Sequence, residues 1–204
     1  MAKILPLALG PRKRPPAAGG NEVDAGLVRR MQRGDEAALV RVMERYGPAI
    51  LAYTYRIVGD RHLAEEILQD TMLKVWQHAR LFRVDGHLKA WLFKVARNNA
   101  IDYKRRKRPV VEELGPTLPA QTQRPDREAE RAWVATRIDA ALTALPLVYR
   151  EVVELRYYHQ LDYQEIAEVL GIPLGTVKSR ISYALKRLPR LLRDQGIDQH
   201  LLDL

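Results

Sequence analysis

The residues whose spacing most clearly indicates chemistry are hydrogen-bond donors along one side of a short segment, residues 176–188. Apolar residues recur there at steps of four, four and three, which predicts an amphipathic helix with one buried face. Those apolar residues are Val177, Ile181, Leu185 and Leu188. The opposite face carries ammonium, guanidinium, hydroxyl and phenol groups and no carboxylate, as contact with base edges and phosphates in a DNA major groove requires. It comprises Lys178, Ser179, Ser182, Tyr183, Lys186 and Arg187.

The residues just before this helix predict the turn that would position it. Asp162 followed by Glu165 is a variant of the capping box that begins a short helix, and Gly171 supplies the left-handed residue that ends it. Small Ala167 allows the next helix to cross closely, so together these residues predict a helix-turn-helix. The alternative is an ordinary helical hairpin with a solvated charged face. The coincidence of the cap, Gly171 and an acid-free polar face favours DNA binding.

A second basic segment, residues 82–108, interleaves aromatic rings with cations. This pattern suits single-stranded DNA, because bases stack on the rings while cations follow the phosphates. Core aromatics beside a solvated basic helix end would give the same composition. Residues 63–76 combine an apolar stripe with an acidic face. Two basic segments and a separate acidic one therefore indicate two contacts with nucleic acid and another surface for a protein partner.

The composition limits the class of protein. The chain has 204 residues, a net charge of +9 and 47% hydrophobic residues, so we expect it to fold and to bind a polyanionic partner. It has no cysteine, which excludes disulfide scaffolds, zinc fingers, iron–sulfur clusters and thiol catalysis. No apolar run approaches the ~20 residues that span a bilayer, and the first residues lack the charge order of a signal peptide. We therefore expect a cytoplasmic protein with no direct membrane insertion.

Enzymatic activity is disfavoured by the absence of the motifs that would support it. The chain contains no phosphate-binding loop, no dinucleotide-binding glycine pattern and no H-E-x-x-H motif. Its five histidines are scattered without ligand spacing, and each is interpreted as a surface or partly packed residue. We therefore expect no catalytic residue, no metal site and no cofactor. A stand-alone helix-turn-helix repressor with a helical dimerisation domain remains the alternative from another class.

Helical spacing dominates the chain and no segment reads as a convincing strand. The predicted class is all-α, with two small helical domains joined by a flexible linker, the second being the helix-turn-helix domain. The predicted boundaries are a flexible basic tail over 1–23, a first domain over 24–108, a linker over 109–130, a second domain over 131–193 and a tail over 194–204. Within the first domain, Gly47-Pro48 is predicted to end one helix before another begins at Ala49.

Taken in order, these segments resemble the extracytoplasmic-function sigma factors of bacterial RNA polymerase. The acidic helix with Gln69-Asp70-Thr71 and Trp76 is similar to the family segment that docks on the polymerase clamp. The basic aromatic segment, with Trp91-Leu92-Phe93-Lys94 at its centre, resembles the family segment that melts and reads the minus-ten element. The block around Thr176-Val177-Lys178-Ser179-Arg180 resembles the domain that binds the minus-thirty-five element.

The resemblance implies a factor that binds core RNA polymerase, directs it to promoters and helps to melt the DNA. Such factors are often stress- or envelope-responsive and held inactive by an anti-sigma protein. For polymerase binding the resemblance implies Glu65, Glu66, Gln69, Asp70, Thr71 and Lys74. For the minus-ten element it implies Phe82, Arg83, His87, Lys89, Lys94, Arg97, Asn98, Asp102, Lys104, Arg105 and Arg106. Within this set, the resemblance implies that Asn98 lines a pocket for a flipped base and that Phe82 belongs to the lid of that pocket. For the minus-thirty-five element it implies Thr176, Lys178, Ser179, Arg180, Ser182, Tyr183 and Arg187.

Two positions depart from the pattern of this family. Pro173 stands where a capping Ser is common, so the recognition helix is predicted to begin on Pro without a side-chain cap. Tyr183 stands where an Arg is frequent. Both departures affect the preferred promoter sequence and leave the predicted fold unchanged.

Overall fold

The computed structural model describes residues 18–82, 87–106 and 127–197, and these residues form helices and no strand, which confirms the all-α prediction for them. The helices are α1 (Ala18–Gln32), α2 (Glu36–Val58), α3 (Arg61–His78) with a 3-10 turn (Ala79–Leu81), α4 (Leu88–Arg106), α5 (Arg127–Thr143), α6 (Leu147–Val153) with a π turn (Glu154–Tyr158), α7 (Tyr163–Leu170) and α8 (Leu174–Asp194). None of these helices is both long and apolar enough to cross a bilayer.

The helices divide between two compact units. The amino-terminal unit contains α1 to α4, and the carboxy-terminal unit contains α5, α6 and α8. Helix α7 begins in the carboxy-terminal unit, to which its residues up to Ile166 belong. The core of the amino-terminal unit lies between α2, α3 and α4. The rings of Tyr53 and Phe93 meet there at 5.3 Å in a tilted arrangement that aromatic pairs favour.

Short caps fix the corners of the amino-terminal unit. The Asp35 carboxylate accepts a hydrogen bond from the amide of Ala37 at 3.0 Å and begins α2, and Asp60 accepts one from Leu63 at 3.0 Å and begins α3. Between these helices Gly59 has a φ of 76°, a left-handed conformation that ends α2. Because the corner contains only residues 59 and 60, α3 must fold back directly along α2.

The prediction that Gly47-Pro48 ends a helix is wrong, because α2 continues through both residues. Apolar side chains on both sides of the pair, among them Val42 and Ile50, are fully buried on one face. Continuing the helix keeps that face in register, whereas a break would expose it to water. Pro48 is exposed, so its ring points to solvent, and the helix loses the one backbone hydrogen bond that proline cannot donate.

Helix α1 begins at Ala18, within the segment predicted as a tail up to residue 23. Its apolar side chains Val28 and Met31 are buried, and Asp24 is buried as well. The Asp24 carboxylate accepts a hydrogen bond from the Tyr46 hydroxyl at 2.6 Å, which joins α1 to α2. These contacts lie tens of residues apart in the chain, so the low helix propensity of Gly19-Gly20 misled the sequence prediction. Residues 1–17 lie outside the described residues.

The carboxy-terminal unit has its core among α5, α6 and α8. It extends beyond the predicted boundary at 193, because Ile197 is buried in the same cluster as Leu188 and Leu192. The chain turns back at Gly196, whose φ is 78°, and the Ile197 amide then bonds the Leu192 carbonyl at 3.0 Å. This is a Schellman end with its usual apolar contact. At the other end α5 begins at Arg127, inside the predicted linker, while residues 107–126 and 198–204 lie outside the described residues.

Candidate nucleic-acid interface

The predicted helix-turn-helix is present in α7 and α8. The amide of Glu165 donates to the Asp162 carboxylate at 2.8 Å, and the amide of Asp162 donates to the Glu165 carboxylate at 2.7 Å. These reciprocal bonds confirm the capping box. Gly171 has a φ of 65° and ends α7, as predicted. Helix α8 begins after Pro173, which makes no side-chain cap, also as predicted.

Helix α8 divides its side chains as the spacing predicted. Val177, Ile181 and Leu188 are buried, and Leu185 is half-buried. The donor-bearing residues are exposed; they are Lys178, Ser179, Ser182, Tyr183, Lys186 and Arg187. The Ser179 hydroxyl donates to the Thr176 carbonyl at 3.0 Å, so its oxygen remains an acceptor for a base edge. The exposed face of α8 formed by these residues is therefore basic and contains no acid.

Tyr183 occupies the edge of this face rather than its centre. Its ring stacks on Tyr149 of α6 with centroids 4.2 Å apart, and the Arg187 guanidinium lies 5.3 Å from the Tyr183 centroid. Arg180 and Thr176 are half-buried on the flanks of the helix. The centre of the exposed face belongs to Ser179, Ser182 and Lys186. Sequence reasoning missed Tyr149, because its contact joins two helices and leaves no local spacing signal.

The acidic side of α3 is exposed on the amino-terminal unit. Glu66 and Gln69 are exposed, and Asp70 and Glu65 are half-buried. Glu65 pairs with the Arg61 guanidinium at 3.0 Å, one helical turn earlier. Among these polar groups stands Leu73, whose residue surface is 54% exposed. Sequence reasoning missed Leu73, although an apolar residue placed outside the buried stripe of α3 was the signal for it.

Thr71 does not belong to this exposed surface, and its assignment to polymerase binding is corrected by the structure. Its side chain is fully buried between α3 and α4. The Thr71 hydroxyl donates to the Ile67 carbonyl at 2.7 Å and accepts from the Asn99 amide at 3.1 Å. Lys74, at the rim of the same interface, donates from its ammonium to the Asn99 side-chain carbonyl. A hydroxyl that is satisfied within the helix pair is stable there, which is why this polar residue lies inside.

A phenol links the acidic side of α3 to α4. The Tyr103 hydroxyl lies 2.8 Å from a Glu66 oxygen and 3.0 Å from an Asp70 oxygen. The hydrogen bond to Glu66 does most to raise the pKa of Tyr103 above its ordinary value, because a phenolate would face two carboxylates. Two carboxylates assigned to one surface are thus held together by a side chain of the next helix, which sequence reasoning did not place there.

Some of the predicted minus-ten residues line one cleft, and the others that the structure describes lie elsewhere on α4. Residues at the start and middle of α4, together with Phe82, line a cleft in the amino-terminal unit; they are Phe82, His87, Trp91, Lys94 and Asn98. The rings of Phe82 and Trp91 stack at 4.6 Å. Lys94 and Asn98 are exposed at their positions along the cleft. This part of the unit therefore brings aromatic faces, a cation and an amide together, as capture of an unpaired base requires.

The other predicted minus-ten residues lie elsewhere on α4. Asp102 continues the line of Asn98 and forms an ion pair with Arg105 at 3.2 Å. Basic side chains of the last turn and flank, namely Arg97, Lys104 and Arg106, are exposed or half-buried. Lys89 precedes Asn98 by nine residues, about two and a half turns, and so lies on the opposite side of α4. Arg83 lies outside the described residues.

Family models match both units of the chain. The model described as sigma-70 region 2 matches residues 42–110, and the model described as sigma-70 region 4 matches residues 135–188. These matches occur in the same order along the chain as the α4 cleft and the helix-turn-helix. Each match includes the surface described above on its unit.

Individual relatives and solved structures are similar over most of their lengths. The chain is 36% identical over 166 residues to the ECF RNA polymerase sigma factor SigL of Mycobacterium tuberculosis, covering 79% of this chain and 93% of SigL. A structure of CnrH with the cytosolic domain of CnrY matches with a TM-score of 0.63 and 26% identity, covering 84% of this chain and 98% of CnrH. The sigma factor RpoE of Bartonella quintana, solved with the anti-sigma factor NepR, matches with a TM-score of 0.62 and 29% identity, covering 75% and 95%.

Proposed function

This chain belongs to the ECF sigma factors of RNA polymerase, and from that membership we propose how its two units divide the work of transcription initiation. The chain binds core RNA polymerase, directs it to promoters and helps to melt the DNA. In this proposal the amino-terminal unit binds polymerase through α3 and reads the minus-ten element through α4. The carboxy-terminal unit reads the minus-thirty-five element through α8. The chain itself catalyses no reaction, and it acts in the cytoplasm, where the polymerase works.

The observation that carries this division is the separation of surfaces by charge. Helix α8 presents an exposed face of lysines, serines and Arg187 without an acid, which suits the phosphates and base edges of a major groove. Helix α3 presents Glu66, Gln69 and Asp70, a surface that DNA would repel. A protein partner is the remaining occupant for an exposed acidic face with an apolar residue in its middle.

The cleft on α4 supports a role in opening the duplex. Extraction of a base costs a few kcal/mol of lost stacking and pairing, and contacts with the extracted base must offset that cost. Trp91 and Phe82 offer ring faces or edges beside the cleft, and the exposed Asn98 amide offers both a donor and an acceptor. The basic last turn of α4, including Lys104 and Arg106, supplies phosphate contacts that do not depend on base sequence.

An anti-sigma protein is the proposed regulator. CnrH was solved with the cytosolic domain of CnrY, and RpoE of Bartonella quintana with the anti-sigma factor NepR. Both sigma factors match this chain with TM-scores above 0.6 and are covered almost completely. We therefore propose that a protein of this kind masks surfaces of this chain until a signal, of stress or envelope origin, releases it.

Two substitutions on the amino-terminal unit separate polymerase binding from promoter opening. Asp70→Lys reverses a charge on the proposed polymerase surface and is expected to weaken the affinity for core polymerase first. Asn98→Ala is expected to leave that affinity unchanged and to reduce permanganate reactivity of thymines in the minus-ten region. Normal affinity for Asp70→Lys would mean that the acidic side of α3 faces elsewhere. Unchanged permanganate reactivity for Asn98→Ala would contradict the assigned base pocket.

Substitutions on α8 test the second unit independently. Arg187→Ala is expected to weaken binding to a minus-thirty-five duplex uniformly across sequences and to lower the salt slope by about 0.9, because one phosphate contact is lost. Ser182→Ala is expected to alter sequence preference while keeping the salt slope, because a hydroxyl reads base edges without neutralising charge. Titrations of the holoenzyme at several salt concentrations distinguish the two. Identical slopes for wild type and Arg187→Ala would remove this residue from the phosphate contacts.

A further inference from the structure

The last residue of α1 forms a double hydrogen bond that joins distant parts of the amino-terminal unit. The side-chain nitrogen of Gln32 donates to the carbonyl of Phe82 at 2.9 Å and to the carbonyl of Ala79 at 3.2 Å. A carboxamide nitrogen carries two hydrogens, so both bonds can form at once. Gln32 is half-buried, and its two partners follow it by 50 and 47 residues along the chain.

These carbonyl groups are in a position where an outside donor matters. They belong to the turn at the end of α3, where backbone carbonyls have lost the donors of the next helical turn. The Ala79 carbonyl also accepts from the amide of Phe82 at 3.2 Å, so the turn is already tight. Gln32 adds a bond at each end of this turn and thereby fixes the direction in which the backbone leaves α3.

Phe82 is therefore held at two points. Its carbonyl is bound by Gln32, and its ring stacks on Trp91 at a centroid distance of 4.6 Å. Trp91 lines the α4 cleft with Lys94 and Asn98. A shift of the Phe82 backbone would move its ring along the face of Trp91 and change the width of the cleft at that wall.

The corner between α1 and α2, which carries Gln32, is rigid. Gln32 follows the buried Met31, and the corner after it is fixed by Gly34, whose φ is 82°. Across this corner the Arg30 guanidinium pairs with the Asp35 carboxylate at 2.7 Å, and the amide of Asp35 bonds the Arg30 carbonyl at 3.1 Å. Because the corner is closed by backbone and side-chain bonds, the Gln32 amide has little freedom to move away from the turn.

We propose that Gln32 is a positioning residue for the minus-ten pocket. It contacts no base; it sets the wall of the pocket by holding the Phe82 carbonyl, so that α1 controls how well α4 captures a flipped base. This inference rests on the proposed function of the α4 cleft. It adds a residue that precedes both the acidic helix and the basic segment in the chain and lies outside the region 2 match at 42–110.

The test uses two substitutions with different chemistry. Gln32→Glu keeps the shape, but the carboxylate at neutral pH has no hydrogen to donate and would face two carbonyl oxygens. Gln32→Met removes both donors without adding charge. The matched control is Gln77→Glu, which makes the same chemical change at an exposed position of α3. Circular dichroism of each full-length variant establishes whether it is folded, and Gln32→Met decides the test if Gln32→Glu does not fold.

Base capture is measured with holoenzyme on a promoter fragment that the wild-type holoenzyme has selected from a randomised library. The probe carries 2-aminopurine in turn at each position of the minus-ten non-template strand, because its fluorescence rises when it leaves the stack. Loss of both hydrogen bonds to the wall of the cleft predicts about a tenfold or greater decrease in base capture for both Gln32 variants. Affinity for core polymerase should stay within about twofold of wild type, and Gln77→Glu should capture the base normally.

Several outcomes overturn the role of Gln32. Normal base capture by both folded variants would show that the double hydrogen bond is dispensable. An equal decrease in base capture and in polymerase affinity would show a general structural role in place of a positioning one. Failure of the proposed function is distinguishable, because wild-type holoenzyme would then give no 2-aminopurine signal at any position.

Discussion

Replacement of Asn99 by alanine is expected to destabilise the amino-terminal unit far more than the same replacement at its neighbour Asn98. Asn99 is 4% exposed, and its amide is bonded on both sides. Its nitrogen donates to the Thr71 hydroxyl at 3.1 Å, and its oxygen accepts from the Lys74 ammonium. Asn98 is exposed on the cleft side of the same helix. The pair therefore offers a matched comparison of a buried and an exposed amide at adjacent positions.

The expected magnitude follows from the bonds that are lost. A neutral hydrogen bond contributes about 1 kcal/mol to stability and one to a charged group about 1.5–3 kcal/mol. Because Lys74 is exposed and partly hydrated, the lower end applies to its bond, and Asn99→Ala should cost about 2–3 kcal/mol. Asn98→Ala should cost less than about 0.5 kcal/mol, as surface substitutions usually do. In a double-mutant cycle with Thr71→Val, the coupling between Thr71 and Asn99 should be about 1 kcal/mol.

Tryptophan fluorescence can isolate the unit concerned. The chain has three tryptophans, of which Trp76 and Trp91 belong to the amino-terminal unit and Trp133 to the other. In a Trp133→Phe background, urea unfolding followed by fluorescence therefore reports only the amino-terminal unit. A cost for Asn99→Ala no larger than that for Asn98→Ala would refute the reasoning, as would a coupling near zero. Either result would mean that water satisfies the Asn99 amide when the protein is in solution.

Three other predictions concern different surfaces of the molecule. Gly171→Ala should lower the stability of the carboxy-terminal unit by about 1 kcal/mol, because the φ of Gly171, 65°, is left-handed, whereas Gly175→Ala inside α8 should cost nothing. Hydrogen exchange of the α7 and α8 amides measures both effects, and equal protection in the two variants would contradict the strain argument. Leu73→Ser should weaken the affinity for core polymerase about tenfold by removing an exposed apolar contact, whereas Val40→Ser, at a similarly exposed position, should not. Anisotropy titration with core polymerase measures both variants, and equal affinities would mean that Leu73 stays solvated in the complex. Hydrogen bonding and burial raise the pKa values of Tyr103 and Tyr46 above their unfolded value of about 10, so the free energy of unfolding should be at its full value below about pH 10 and decline above it. In urea unfolding at pH 8–11, Tyr46→Phe and Tyr103→Phe should each flatten that decline, and a decline as steep as in the wild type would disprove the assignment.

The sequence predicted those features whose physical cause is local. The capping box of α7 joins residues three positions apart, Gly171 acts through its own φ, and the buried side of α8 follows from the helical period. The cleft residues Lys94 and Asn98 were named from the family resemblance, and their assignment to the minus-ten element remains a prediction. The signals in α7 and α8 can be read within about two turns of helix and were confirmed, whereas the equally local signal at Gly47-Pro48 was wrong.

Features that depend on contacts between distant residues were missed or wrong. Thr71 has the same polarity as its exposed neighbours, and only the approach of Asn99 from α4 makes it a core residue. The continuity of α2 through Pro48 depends on the surfaces of α3 and α4 that bury both of its halves. The bonds of Gln32 to the turn after α3 span about fifty positions and carry no spacing signal. At Pro48, tertiary packing outweighs a local preference of about 3 kcal/mol against helix.

The hydrogen-bond networks between α3 and α4 affect how the promoter is read. On the proposed assignment α3 docks on polymerase and α4 holds the unpaired base, and two separate networks join these helices. Tyr103 bonds Glu66 and Asp70 near one end, and Asn99 bonds Thr71 and Lys74 in the middle. Because the docking surface and the base pocket belong to one packed body, docking alone fixes where the pocket lies relative to the polymerase. The register of the minus-ten element is then set within the amino-terminal unit, and the chain between the two units needs only to let α8 reach its own element.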